Sequence, residues 1–186
     1  KNKNEWLSTI DIENVMKQYE NQYSNFKFIG PVPIDFDYEY SVGNCIVDEL
    51  CKINIDKFLK KKIKNIGIIF NLDKHNQSGS HWVAMYIDLT KNKVYYFDSY
   101  GEEPPNEIDI LAKRLKEQGL RNNNNIDYEI NDVRFQYKNS ECGVYCMYFI
   151  TSLLGGQSFE EFKQNIIKDD LMNQKRGFFY SPNCSI

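Results

Sequence analysis

Histidine is scarce in this 186-residue chain. Only His75 and His81 occur, so any chemistry that needs an imidazole has two candidates. Cysteine is sparse as well, five in number and therefore odd, which argues against a disulfide scaffold and for a reducing compartment. No apolar run approaches the roughly 18 residues of a membrane-spanning helix, and no basic-then-apolar leader opens the chain. These absences predict a soluble, cytoplasmic protein with no membrane partner. The net charge of −3 gives no general polyanion-binding signature. The lysines between Lys57 and Lys64 read as a solvated surface, and nucleic acid is not indicated. The chain begins at Lys1 rather than Met, which leaves room for an N-terminal extension.

Apolar and aromatic side chains are abundant by contrast, at 41% and 15% of the residues. That is the composition of a chain that folds around a core, and the length fits a single domain over residues 1–186. Leu7, Ile10, Ile12, Val15, Met16 and Tyr19 recur at helical intervals and predict a helix over about 9–20, with Ser8 or Thr9 as N-cap. Gly30-Pro31-Val32-Pro33 cannot continue a helix, so residues 26–37 read as an extended connector. Residues 46–59 are weakly helical.

The period then changes. Residues 65–72 form an apolar run of strand length. From His81 the chain alternates, with Trp82, Ala84 and Tyr86 on one face and Val83, Met85, Ile87 and Leu89 on the other. A turn at residues 90–93 leads into Val94–Phe97, which predicts a hairpin. Residues 106–118 predict an amphipathic helix stopped by Gly119, residues 128–137 a strand, and residues 143–154 an apolar helix. Ser158 to Glu161 is a capping-box pattern opening a last helix to about Leu171. The expected architecture is α+β: a central mixed or antiparallel sheet of about 4–5 strands flanked by helices.

Against this frame, four residues combine into one chemistry. Cys142 starts a helix, whose positive N-terminal end favours thiolate over thiol, and Gly143 leaves room for close backbone approach. His81 heads a strand, whereas His75 lies in a polar loop with no strand to position it, so His81 is the stronger general-base candidate. Asp98 ends the paired strand at the same end of the hairpin and could orient the imidazole. It also suits a turn capping Ser99-Tyr100-Gly101. Gln136, six residues before Cys142, could donate its amide to a developing oxyanion. An imidazole, a carboxylate, an amide and a thiol are what acyl transfer by a cysteine nucleophile requires. Cys142 and Cys146 lie four apart on one helix, but no second Cys or His pair converges on them, so neither a metal nor any other cofactor is expected; Cys146 reads as core.

His81-Trp82-Val83-Ala84, Val94-Tyr95-Tyr96-Phe97-Asp98-Ser99, Gln136 and Glu141-Cys142-Gly143-Val144-Tyr145, in that order, resemble the adenain and SUMO-protease superfamily of cysteine proteases. The opening Trp6-Leu7-Ser8 is similar to its N-terminal Trp-Leu start, and the likeness extends over about residues 6–178. Glu141 before the nucleophile and the closing stretch from Asp170 to Phe179 bring the chain nearest to members encoded by large DNA viruses. The resemblance implies an adenain/SUMO-protease-like fold with Cys142 as nucleophile, His81 as base and then acid, Asp98 as orienting carboxylate and Gln136 as oxyanion donor. It also implies substrate contacts by Trp82, Trp6 and Gly143, with Trp82 walling a narrow channel for Gly-Gly before the scissile bond. Three functions follow as expectations: a viral-type processing protease, a protease acting on ubiquitin, SUMO or a related modifier, and a silent binding module of the same fold.

Overall fold

The computed structural model describes residues 5–180. Helix α1 (Thr9–Gln22) opens on a capping box in which the Ser8 side chain accepts from the Asp11 N–H and the Asp11 carboxylate accepts from Ser8. Strand β1 (Phe26–Pro33) follows, then a small hairpin of β2 (Glu39–Ser41) and β3 (Asn44–Cys45) and two short helices, α2 (Asp48–Cys51) and α3 (Ile55–Lys60). The centre of the chain supplies β4 (Asn65–Asn71), β5 (Trp82–Asp88), β6 (Lys93–Phe97), α4 (Asn106–Arg121) and β7 (Asp127–Ile130). It closes with α5 (Cys142–Leu154), α6 (Phe159–Gln164) and α7 (Asp169–Phe179).

The main sheet has five strands in the order β1-β4-β5-β6-β7. Its two outer pairings are parallel and the two inner ones antiparallel, so the sheet is mixed. Every residue of β5 is buried, and its alternation separates two cores. Trp82, Ala84 and Tyr86 join the apolar side chains of α1, α5 and α6. Val83, Met85 and Ile87 face Ile108, Leu111 and Leu115 of α4. Helices therefore cover both faces of the sheet, which explains why its central strand is apolar on both sides. Helix α5 is buried along most of its length and lies hard against β4, where a Cβ on Gly67 would come within 2.8 Å of Ile150 Cγ2.

Four sequence expectations are corrected. Residues 26–33 are an edge strand rather than a connector. Pro31 and Pro33 are tolerated because β1 has a neighbour on one side only, and the register shifts between Ile29 and Val32. Gly119 does not stop α4, which runs on to Arg121. The glycine answers to packing instead, since a Cβ there would meet Ile126 Cγ1 at 2.7 Å and the Asn124 carbonyl at 2.8 Å. Strand β7 ends at Ile130, not at Tyr137, because the Asn131 amide turns to hold the Asp98 and Val133 carbonyls at 2.9 and 2.8 Å. The last predicted helix is two, with Asn165 closing α6 and a second helix beginning at Asp169.

The cysteines require a further correction. Cys45 and Cys51 are joined in a disulfide, their Cα atoms 6.3 Å apart. Strand β3 ends on one and α2 on the other, so the local chain path places both within bridging reach. Among the described residues Cys142 and Cys146 are free, while Cys184 lies outside them. No helix among the described residues is long and apolar enough to cross a membrane.

Candidate active site

The hairpin of β5 and β6 carries Ala84 opposite Phe97, which brings the start of one strand beside the end of the other. His81 and Asp98 meet there, His81 Nε2 donating to Asp98 Oδ1 at 2.7 Å. The same oxygen accepts the Tyr100 N–H at 2.9 Å. Asp98 is thus both the partner of the imidazole and the capping residue of the turn, and the turn fixes the carboxylate that fixes the ring. The Tyr100 ring stacks on the imidazole with centroids 4.7 Å apart, and the Arg134 guanidinium lies over the Tyr100 and Tyr137 rings. Sequence reasoning did not assign a role to Tyr100; its place within the predicted Ser99-Tyr100-Gly101 turn, two residues after Asp98, was the available signal.

Helix α5 brings the thiol. Cys142 is its first residue and is buried at 2% exposure, hydrogen-bonded to the His81 ring. With Nε2 given to Asp98, Nδ1 is the nitrogen left for sulfur. Burial by itself would lower the His81 pKa, but the hydrogen bonds to Asp98 and Cys142 outweigh it and raise the value to about 9. Four residues further along α5, Cys146 is fully buried, and desolvation pushes its thiol well above the ordinary range. The two free thiols therefore occupy opposite environments, one paired with an imidazole and the other enclosed in the core.

Gln136 is buried in the loop before α5 rather than at a strand end. Its backbone N–H and that of Phe135 both donate to the Ser99 carbonyl, at 2.8 and 2.9 Å. Its side-chain carbonyl accepts from Ser99 Oγ at 2.6 Å, and Nε2 donates to the Lys138 carbonyl at 2.6 Å. Ser99 thereby ties the Gln136 loop to the end of β6, and the amide NH₂ keeps one hydrogen beyond the one used on Lys138.

Trp82 is buried, its indole N–H donating to the Leu7 carbonyl at 3.2 Å. It stands at one end of a groove of about 350 Å³ that also runs past Thr9, Pro31–Pro33, His75 and Gly79. Gly143 faces protein: a Cβ there would approach Trp82 Cδ1 at 3.2 Å and the Ile12 and Leu7 Cδ1 atoms at 3.3 Å. The missing side chain makes room for Trp82, Ile12 and Leu7. Trp6 is half exposed and does not line this groove. His75, the competing imidazole, pairs with Asp35 at 2.6 Å and stacks on Tyr38. No group of metal-ligating side chains is found among the described residues.

The raised His81 pKa makes a pH prediction. A group raised to about 9 keeps its proton through neutrality and loses it only as the pH climbs past that value. A ring NMR titration of the protein should therefore place the His81 midpoint near 9, above the ordinary 6.5. Asp98→Asn, which takes away the negative partner, should move it down. A midpoint at or below 6.5 in the unmodified protein would refute the pairing.

A thiol at a helix start, set against an imidazole that a carboxylate holds from the sheet, is the architecture of a cysteine peptidase. Residues 49–181 match the Ulp1 protease family, C-terminal catalytic domain, and the chain belongs to that family. It is 42% identical over 177 residues to the R355 protein of Acanthamoeba polyphaga mimivirus, named as a thiol protease, covering 95% of this chain and 57% of that one. It is 24% identical to the SUMO-1 cysteine protease S273R of African swine fever virus, covering 91% and 66% respectively. The crystal structure of the latter virus's pS273R protease superposes with a TM-score of 0.75 at 22% identity, over 93% of this chain and 66% of that one. The Ulp1 protease domain in complex with Smt3, the yeast SUMO orthologue, superposes at 0.66 with 21% identity, over 95% and 75%. These two superpositions establish the shared fold. The chain spans about 57–66% of the length of these two curated relatives.

Proposed function

We propose that residues 1–186 are a single catalytic domain of a cysteine endopeptidase that cleaves after small residues of the Gly-Gly type, in processing of viral structural proteins. The observation that carries this reading is the His81 ring bonded on one side to Asp98 and on the other to the Cys142 thiol. In this mechanism the thiolate attacks the scissile carbonyl, and the His81 imidazolium protonates the departing amine. The neutral ring then takes a proton from the water that hydrolyses the thioester. Asp98 holds the ring's tautomer and stabilises its charged form. The free hydrogen of the Gln136 amide and the Cys142 backbone N–H supply the oxyanion hole.

The tryptophan wall supports the preference for small residues. Trp82 is fixed at its indole nitrogen and backed by Gly143, so a channel walled by it would not widen for a large side chain without displacing packed core. A second reading, a protease for ubiquitin, SUMO or a related modifier, draws support from the fold shared with the Smt3-bound Ulp1 domain. A silent binding module is disfavoured because all four polar groups are present.

Three substrates distinguish these readings. The first reading expects turnover of a Gly-Gly peptide and only weak labelling of Cys142 by ubiquitin- and SUMO-propargyl probes. Rapid labelling by either probe selects the second, and turnover of none of the three while Cys142 still alkylates selects the third.

Gln136 can be examined with the same peptide. An oxyanion donor acts in the transition state, so Gln136→Ala should lower kcat by about 100-fold, the lower end of what one such donor contributes, with little change in KM. A rise in KM at constant kcat would make Gln136 a substrate-binding residue instead.

A further inference from the structure

The residue immediately before the nucleophile carries a buried charge. Glu141 is 1% exposed, and its carboxylate does not cap α5. It turns away and meets Arg176 of α7, also 1% exposed. Arg176 Nη2 donates to Glu141 Oε1 at 3.1 Å and Nε to Oε2 at 3.3 Å. Asn173 Nδ2 and Ser140 Oγ complete the shell, donating to Oε1 at 2.8 and 3.0 Å. The same guanidinium donates to the Ser140 carbonyl at 3.0 Å and to the Glu5 carbonyl of the N-terminal arm. Two residues along that arm, the Leu7 carbonyl receives the Trp82 indole N–H. One arginine thus grips the residues preceding Cys142 and the arm that holds the tryptophan wall.

Stability alone does not account for this arrangement. A buried ion pair is commonly no more stabilising than apolar side chains of the same volume. Arg176 sits in the apolar stripe of α7 with Met172 and Phe179, where a methionine would serve packing equally well. Its position has an electrostatic consequence, however. A bare carboxylate one peptide away would oppose the negative sulfur that attack requires.

We propose that Arg176 is a positioning residue for the protease reaction, acting through Glu141. It neutralises the Glu141 carboxylate, so that the carboxylate's hydrogen bonds can shape the start of α5 without its charge destabilising the Cys142 thiolate. The other titratable groups around the thiol are His81 with Asp98, Tyr100 and Cys146. Tyr145 and Asp169 lie behind Glu141, the Tyr145 hydroxyl donating to Asp169. None of these supplies a second cation beside Glu141; Lys138, which lines the same cleft, gives its ammonium to Asp170 at 2.6 Å. The proposal rests on the assignment of Cys142 as nucleophile.

The test is the pH dependence of iodoacetamide alkylation at Cys142, followed by mass spectrometry and read beside peptide kinetics and thermal unfolding. Arg176→Met should move the alkylation midpoint up by about one pH unit or more, because the carboxylate is left uncompensated. It should lower kcat at least about tenfold and change KM by less than about threefold. Glu141→Gln should move the midpoint the other way, since the guanidinium then lacks its counterion. The double variant E141Q/R176M should return it to within about 0.3 of the unmodified protein, the signature of a coupled pair. Arg176→Lys should keep the midpoint while losing hydrogen bonds and thermal stability.

If Arg176→Met does not fold, the downward shift in Glu141→Gln and the unmoved midpoint in Arg176→Lys still decide the matter. Unmoved midpoints in Glu141→Gln and in every Arg176 variant that folds, with changes confined to thermal stability, would reduce Arg176 to a packing role. An unmodified protein whose Cys142 does not alkylate at all would instead overturn the assignment of the nucleophile.

Discussion

Cys142→Ala should abolish peptide cleavage, lowering kcat by on the order of 10⁴-fold or more, while the thermal unfolding midpoint stays within a few degrees of the unmodified protein. The fold should survive because only one sulfur atom is exchanged for hydrogen at the first residue of α5, and the helix is anchored elsewhere by Phe149, Ile150 and Leu153. Cys142→Ser should be nearly as inactive. A serine hydroxyl keeps its proton at every pH where the imidazole is charged, so the variant has no preformed anion with which to attack. Residual turnover close to that of the unmodified protein in the alanine variant, measured with the Gly-Gly peptide, would remove Cys142 from the mechanism.

His81→Ala should cost almost as much as losing Cys142, because thiol and imidazole act as one unit and the loss of either disables both. Combining the two substitutions should add little to either alone. Asp98→Asn should cost much less. The asparagine carbonyl can still accept from His81 Nε2 and from the Tyr100 N–H, but it no longer offsets the charge of the imidazolium. Asp98→Ala should lie between the two and also loosen the turn, since one oxygen holds both ring and backbone. Steady-state kinetics of the four variants would order them. Full activity in Asp98→Ala would leave Asp98 a turn residue only and require another acceptor for the ring, for which Asn71, opposite Trp82 on β4, is the candidate to be tried; Asp88 stands at the far end of β5.

Much of this site was legible in the sequence, because its parts sit where periodicity changes. The alternation from Trp82 to Ile87 and the short turn before Val94 fixed the hairpin, and the hairpin brings His81 to Asp98. The apolar helix after Cys142 fixed where the thiol would stand. Less legible were features decided by contacts between distant segments. The path of residues 131–141 depends on Asn131 reaching the Asp98 carbonyl and on Phe135 and Gln136 bonding to Ser99, and β-propensity carries no trace of either. Gly119 has the local signature of a helix stop, yet what calls for glycine there is the lack of room for a Cβ beside Ile126 and the Asn124 carbonyl. The Cys45–Cys51 pairing follows from how a two-residue strand and a four-residue helix meet, whereas cysteine counting spoke only against a disulfide scaffold and for a reducing compartment. Arg176 had a usable signal, a charged residue inside an apolar helical stripe, but its partner could be named only once α7 and α5 were seen side by side.

The most direct measurement of the central claim is alkylation at limiting reagent. The protein would be treated with less than one equivalent of iodoacetamide at neutral pH, the adduct located by peptide mapping, and the remaining cleavage activity measured on the same sample. The account predicts that the adduct falls on Cys142, that buried Cys146 and the disulfide-bonded Cys45 and Cys51 remain unmodified, and that activity declines in proportion to the Cys142 adduct. An adduct elsewhere in the chain that tracks the loss of activity, or full activity in protein alkylated at Cys142, would contradict it.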